Sequence, residues 1–256
     1  MKDVLLTLSR EMGLSLTERQ IEQFDLYARL LVEWNEKMNL TAITEPEEIA
    51  RKHFIDSLVG WETIKAAISA CSEKGRALKL IDVGTGAGFP GLPIKILFPE
   101  IELTLLDSLG KRVTFLETVV RELELTGVSC IHARAEEAAH LPEMREQYDI
   151  AVARAVAALP VLTEYLAGYV RVGGLVMAYK GPTFTDELAK SGRALKTLHL
   201  TLEKTIPATV LGDDYAHTVA AFKKTAPLGL QYPRKQSKIK TNPLSDESGS
   251  AAKKKE

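Results

Sequence analysis

The chain has 256 residues, with 33 Lys and Arg against 34 Asp and Glu and a formal net charge of −1. That length accommodates one large core, or a core with a smaller helical part, and can bury a sizeable apolar interior. Near-neutral charge excludes a uniformly basic nucleic-acid binder, so affinity for a polyanion must come from local patches.

Residues 1–75 read as a helical region. The first residues, with Asp3 and Arg10 around a short apolar run, lack the form of a signal peptide. Thr17-Glu18-Arg19-Gln20 carries the capping-box pattern, and Ile21, Phe24, Leu26, Tyr27, Leu30, Leu31 and Trp34 follow near the helical period. Glu45-Pro46-Glu47-Glu48 starts another helix, with His53, Asp56 and Ser57 on it or at its end. A further helix is expected from Gly60 to Cys71, and Ser72-Glu73-Lys74-Gly75-Arg76 marks a boundary.

From residue 76 to 227 strands alternate with helices. Strands are expected at 78–83, 102–107, 128–132, 148–153 and 174–180, and helices at 90–97, 111–125, 136–141, 159–170 and 185–198. The alternation implies a parallel sheet covered on both faces. Strand-like runs at 202–210 and 217–223, joined by Gly212-Asp213-Asp214, predict a closing antiparallel hairpin. Residues 228–256 form a separate basic segment, in which Tyr232–Lys240 holds four cations and no acid. From Ser245 onward the composition predicts disorder.

The first strand runs into Asp82-Val83-Gly84-Thr85-Gly86-Ala87-Gly88-Phe89-Pro90-Gly91. Glycines permit a sharp turn and close backbone approach to a ligand, and unpaired amides at the next helix start can face its polar oxygens. Gly84, Gly86 and Gly88 have the spacing usual for S-adenosylmethionine-dependent methyltransferases, whereas Gly86, Gly88 and Gly91 match the dinucleotide fingerprint. An acid at position 82 repels a pyrophosphate and suits a cationic cofactor, and Phe89 would crowd a diphosphate. The glycines alone leave both registers open, together with a plain tight turn.

Asp107, at the end of the second strand, stands where a nucleotide fold places its ribose acid, or else caps the next turn. Lys111 and Arg112 open the following helix, where cations are disfavoured, and so point to an outside anion or to a solvated face. Ala135 and Glu136 follow the third strand and face the adenine edge, unless Glu136 only favours its helix start. Arg154 ends the fourth strand and needs a partner: a cofactor carboxylate, a substrate oxygen or an internal acid. His53, His132, His140, His199 and His217 lack metal-ligand spacing, and no nucleophile elbow or P-loop occurs. Cys71 and Cys130 lie far apart without a C-x-x-C, as reduced thiols of a cytoplasmic protein do, and no apolar stretch is long enough to span a bilayer.

Taken in order, Trp34-Asn35-Glu36-Lys37-Met38-Asn39-Leu40-Thr41, His53-Phe54-Ile55-Asp56-Ser57, the run from Asp82 to Pro93, Leu106-Asp107-Ser108 with Lys111-Arg112, Arg134-Ala135-Glu136-Glu137, Ala153-Arg154-Ala155, Tyr179-Lys180-Gly181 and Tyr232-Pro233-Arg234-Lys235 form one set. In that set the chain resembles the bacterial RsmG (GidB) family over nearly its whole length to about Leu244. The resemblance implies a Rossmann-like class I methyltransferase with an N-terminal helical extension, using S-adenosyl-L-methionine to methylate N7 of a guanine in small-subunit ribosomal RNA. It implies cofactor contact at Gly84, Phe89, Ala135, Glu136 and Arg154; since guanine N7 carries no proton to remove, Arg154 is expected to position cofactor and guanine rather than to transfer protons. Asn35, Asn39, His53 and Asp56 then either shape an RNA-facing mouth or serve packing. Lys180, Arg234 and Lys235 are the expected phosphate contacts, beside Lys111 and Arg112. The partner is the RNA itself or an assembling small subunit, with no metal and no membrane. Competing readings are an NAD(P)-dependent oxidoreductase and a non-catalytic ribosome-assembly factor.

Overall fold

The computed structural model describes residues 1–212 and 216–246. Seven strands form one sheet in the order β3-β2-β1-β4-β5-β7-β6. They are β1 (Lys79–Val83), β2 (Glu102–Asp107), β3 (Val128–His132), β4 (Tyr148–Arg154), β5 (Val170–Lys180), β6 (Leu200–Pro207) and β7 (Thr218–Lys224). The first five are parallel, and β7 inserts antiparallel between β5 and β6. This is the sheet expected of a class I methyltransferase, including the terminal hairpin. Asp213 and Asp214 of the expected hairpin turn lie outside the described residues.

Before the sheet come α1 (Lys2–Glu11), α2 (Glu18–Met38), α3 (Pro46–Glu48), a π-helical segment (Ile49–Ile55), α4 (Asp56–Leu58) and α5 (Trp61–Ser72). Thr17 and Gln20 make the reciprocal bonds of the capping box at the start of α2. Asn39 ends that helix in a left-handed conformation, φ 50°, and Asn35 accepts the Thr41 amide at 2.8 Å. Helices α6 (Gly91–Leu97), α7 (Gly110–Glu122), α8 (Ala135–Ala138), α9 (Leu159–Ala167), α10 (Phe184–Ala189), α11 (Gly192–Thr197) and α12 (Gln236–Thr241) complete the fold.

Alternating strand residues divide the core in two. Leu80, Leu103, Leu105, Ile150, Val152 and Met177 pack with Phe24, Tyr27, Leu31, Ile49 and Phe54 of the N-terminal helices. Ile81, Leu106, Ala151, Ala153, Val176 and Ala178 pack on the other face with Leu159, Leu162 and Leu166 of α9. Residues 1–75 are therefore one covering layer of the sheet. The segment after residue 227 is likewise part of the core, because Leu228 and Leu244 are buried in the α9-side cluster and Ile239 is buried on α12, which contacts α9.

Several boundaries differ from expectation for local reasons. The helix expected at 185–198 is two, broken at Lys190-Ser191, where the Ser191 hydroxyl bonds back to Glu187 O and Asp246 accepts the amides of Gly192 and Arg193 at the start of α11. Asp246 is thus placed by specific bonds inside the stretch expected to be disordered; residues 247–256 lie outside the described residues. The expected strand at 202–210 begins at Leu200 and stops at Pro207, which has no amide to extend the ladder, and Thr209–Leu211 forms a 3₁₀ turn. The helix expected at 159–170 ends at Ala167, because Val170 already pairs with Tyr148 in the sheet. Helix α8 is one short turn rather than the expected 136–141.

Candidate cofactor cleft and its surroundings

In an open parallel sheet, ligands bind beyond the carboxyl ends of the strands where the chain order reverses. Here that point is β1, flanked by β2 and β4. A cleft of about 330 Å³ lies there, a size suited to a nucleoside-like ligand. Val83 and Gly84 of the β1 exit, Leu106 and Ser108 beside β2, and Ala133 to Glu136 after β3 form its floor and one end. Val156 and Ala157 beyond β4, with Val161 and Tyr165 of α9, form the other wall. Gln236 and Lys240, one turn apart on α12, close it from the C-terminal segment.

The glycine turn is held from both sides. The amides of Gly84 and Thr85 donate to Leu106 O at 2.8 and 3.2 Å. The Gly86 amide donates to Asp107 Oδ2 at 2.9 Å, while Asp107 Oδ1 accepts the Leu109 amide at 2.9 Å. Asp107 therefore ties the turn to the next helix start, and Arg112 Nη1 stands 3.5 Å from its Oδ2. It is buried behind the cleft wall, with Leu106 and Ser108 on the wall itself. Gly84, at φ +72°, turns under Val156, whose Cγ2 would lie 2.9 Å from a Cβ there. Gly86, at φ +61°, opposes open space. Gly88 faces inward against Leu92 and the Tyr27 hydroxyl.

Below the turn sits Asp82, fully buried. Its Oδ2 accepts the Thr85 hydroxyl at 2.6 Å and the Gly91 amide at 2.8 Å. Its Oδ1 is, among the described residues, a buried oxygen with no hydrogen-bond partner. Burial pushes its pKa up to about 7. A ligand carrying an ammonium and a sulfonium suits such a carboxylate; a diphosphate does not. The open cradle at Gly86, the orphaned carboxylate oxygen and the mostly apolar cleft ending at Glu136 fit S-adenosylmethionine.

Phe89 is not on the cleft wall. It is buried with its ring stacked on His53, centroids 4.6 Å apart, and on Tyr27 at 5.4 Å. Arg154 lies over the same ring, its Cζ 4.9 Å from the centroid. Its Nη1 donates to Asp56 Oδ2 at 2.7 Å, so the internal acid is the partner the structure supplies. Ala155 follows at φ +58°, a strained turn that carries the chain from Arg154 into the cleft-lining Val156.

The expected phosphate contacts separate into two groups. Lys180 is buried, donates to Ala157 O at 2.9 Å and pairs with Glu187 at 2.6 Å. Arg234 grips the fully buried Glu164 with Nε at 2.8 Å and Nη2 at 2.6 Å. Both cations are committed within the fold, because an unpaired buried acid would be costly. Lys111 and Lys235 are exposed, and Arg112 is half-buried against Asp107. Exposed Arg134, bonded to Gln236 at 3.0 Å, and exposed Lys240 stand at the cleft itself. Sequence reading missed Val156, Tyr165, Gln236 and Lys240; only the four-residue spacing of the last two carried a signal of a shared helix face.

A family described as rRNA small subunit methyltransferase G matches residues 20–211. The chain belongs to this family. Three proteins named ribosomal RNA small subunit methyltransferase G illustrate the likeness. That of Acetivibrio thermocellus is 48% identical over 233 residues, 91% of this chain and 92% of its own. That of Desulfitobacterium hafniense is 46% identical over 245 residues, covering 95% and 98%. That of Clostridium botulinum is 43% identical over 242 residues, covering 94% and 98%. Among solved structures, a mutant of MtNAS aligns with a TM-score of 0.51 at 14% identity, over 80% of this chain and 75% of that one, which speaks for the fold alone. Membership in the methyltransferase G family sets aside the oxidoreductase alternative, and with it the second glycine register. Among the described residues no helix is long and apolar enough to cross a membrane, and no cluster of three His, Cys, Asp or Glu could hold a metal ion.

Proposed function

We propose that this chain transfers a methyl group from S-adenosylmethionine to N7 of a guanine in small-subunit ribosomal RNA, in the cytoplasm. The observation that carries the reading is the cleft at the exits of β1 and β4, lined by Gly84, with open space over the neighbouring Gly86 and an orphaned buried carboxylate oxygen on Asp82, in a chain of the methyltransferase G family. The cofactor supplies an electrophilic methyl group on a sulfonium sulfur. The main-chain turn at Gly84 and Gly86 would seat its amino-acid end, and Ala135 and Glu136 its base. Asp107 would act from behind, by holding the Gly86 amide. Guanine N7 offers an in-plane lone pair and no proton, so the reaction asks the protein for alignment rather than for a base. Apolar walls from Val156, Ala157 and Val161 exclude water from that alignment.

Lys111, Arg112 and Lys235, joined by Arg134 and Lys240, are the cations we assign to the RNA backbone, which dominates the affinity of such enzymes. A second, larger cleft of about 640 Å³ shares Arg134, Glu136 and Gln236 with the first and runs along Pro233 to Ser237. The strand carrying the target base would approach along it. Tritiated methyl transfer to small-subunit RNA lacking the modification, naked and in particles, followed by mapping of the labelled base, tests the reading. Label on a single guanine is the expected result. Protein that binds S-adenosylhomocysteine yet labels neither substrate would instead support the assembly-factor alternative.

A further inference from the structure

Arg154 leaves β4 on the sheet face turned to the N-terminal helices. Its Nη1 donates to Asp56 Oδ2 at 2.7 Å and to Lys52 O at 3.1 Å, and its Nη2 meets His53 Nδ1 at 3.3 Å. Arginine only donates, so His53 accepts through Nδ1 and carries its proton on Nε2. That proton goes to Thr41 Oγ1, 2.8 Å away, and Thr41 is itself held by Asn35 through its amide. Burial, then the Arg154 charge, hold the His53 pKa down to about 4, which keeps the ring a neutral acceptor. On the far side, Asp56 Oδ1 stands 3.2 Å from His217 Nδ1.

Two features set this cluster apart from an ordinary internal ion pair. The holding groups sit on the π-helical segment Ile49–Ile55 and at its end, a local geometry that costs stability and recurs at functional positions. And the guanidinium is only partly used: among the described residues its Nε–H and one Nη2–H have no partner. Nε–H with an Nη–H is the fork by which arginine grips a carboxylate or a phosphate. Compare Asp149 at the other end of β4, whose two oxygens are shared between Arg76 and Arg171 far from the cleft.

We propose that Asp56 and His53 are positioning residues: they hold Arg154 so that its free edge meets an oxyanion of the bound complex, either the cofactor's carboxylate or a phosphate of the RNA. The inference rests on the methyltransferase reading above. It makes the N-terminal helical layer part of the active site, with the two motifs around Asn35 and His53 converging on one arginine.

The test compares Asp56→Asn with Asp149→Asn, which breaks a buried ion-pair cluster on the same strand away from the cleft. Asp56→Asn is expected to lower kcat/KM at least tenfold, while Asp149→Asn, at a comparable loss of Tm, stays within twofold of wild type. Combining Asp56→Asn with Arg154→Gln should add nothing to the loss from Arg154→Gln alone. Calorimetry with S-adenosylhomocysteine separates the two oxyanions: weakened binding assigns the cofactor carboxylate, and unchanged binding with a raised KM for RNA assigns a phosphate. Should Asp56→Asn not fold, His53→Leu takes its place, with His53→Asn, which retains an acceptor near Nδ1, restoring activity to within threefold. Wild-type binding and activity with an unaltered Asp56→Asn overturns this inference alone. Failure of the wild type to bind S-adenosylhomocysteine overturns the proposed function and this inference together.

Discussion

Asp82 reaches across the glycine turn to the amide of Gly91, 2.8 Å away, and keeps its second oxygen buried without a partner. A carboxylate so placed is held in its neutral form more readily than in water, and its pKa rises to about 7 from an ordinary value near 3.8. The folded state then binds a proton that the unfolded state has released between those two values. Stability contributed by that proton is present below about pH 4 and is lost as pH rises through 7, with a slope of at most about 1.4 kcal/mol per pH unit. Asp82→Asn, which cannot ionise, is expected to flatten the fall in stability between about pH 4.5 and 7. Urea unfolding of both proteins across that range measures the difference, and parallel curves would refute the assignment.

Gly84 and Gly86 both have left-handed backbones but differ in what lies above them. Alanine at either position carries a strain of about 1–2 kcal/mol. At Gly84 the new methyl also strikes Val156 Cγ2, so Gly84→Ala should destabilise more, and Val156→Ala should recover part of the loss. At Gly86 the methyl enters open space where the ligand is assigned. Gly86→Ala should therefore cost more in S-adenosylhomocysteine affinity than in Tm. Paired calorimetry and thermal unfolding read both ratios.

The parallel strands were legible in the sequence because each is an apolar run bounded by turn residues, and the run ending at Gly84 announced the crevice at its exit. The π-helical segment was not, since over seven residues its period cannot be told from that of an α-helix. Nor was the docking of the C-terminal segment, where Leu228, Ile239 and Leu244 are isolated apolar residues with no period to mark a buried face. The sequence showed that Arg154 needed a partner, but that partner, Asp56, lies 98 residues away, and only the folded chain brings the two together. Lys180 and Arg234 misled for the same reason: a cation at a strand end or in a basic run looks free until its acid partner, the partly buried Glu187 or the fully buried Glu164, is located.

Arg234 and Lys235 are neighbours in the chain with opposite expected behaviour. Arg234→Ala strands Glu164, which is fully buried, and removal of one partner from a buried pair costs about 3–5 kcal/mol. Lys235 is exposed, and Lys235→Ala should leave stability within about 0.5 kcal/mol of wild type. If Lys235 meets a phosphate, its loss reduces the slope of log affinity against log salt by about one. Filter binding to small-subunit RNA between low and moderate salt supplies that slope, and an unchanged value would remove Lys235 from the interface.

Helix α12 closes the cleft with only Ile239 fully buried beneath it, and Arg134 bonded to Gln236 at 3.0 Å at its edge. A six-residue helix has little stability of its own, so its position depends on that apolar anchor and on the Arg134 bond to Gln236. Ile239→Ala leaves a cavity worth about 2–5 kcal/mol in a rigid site, but α12 can undock for less than the cost of unfolding the sheet. The expected outcome is a small fall in global stability with raised hydrogen exchange confined to 236–241. Since Gln236 and Lys240 form one wall of the cleft, S-adenosylhomocysteine affinity should fall in the same variant. Hydrogen exchange with mass detection, run with and without S-adenosylhomocysteine, checks the coupling: ligand should raise protection over 236–241 in the wild type, and its failure to do so would separate α12 from the cofactor site.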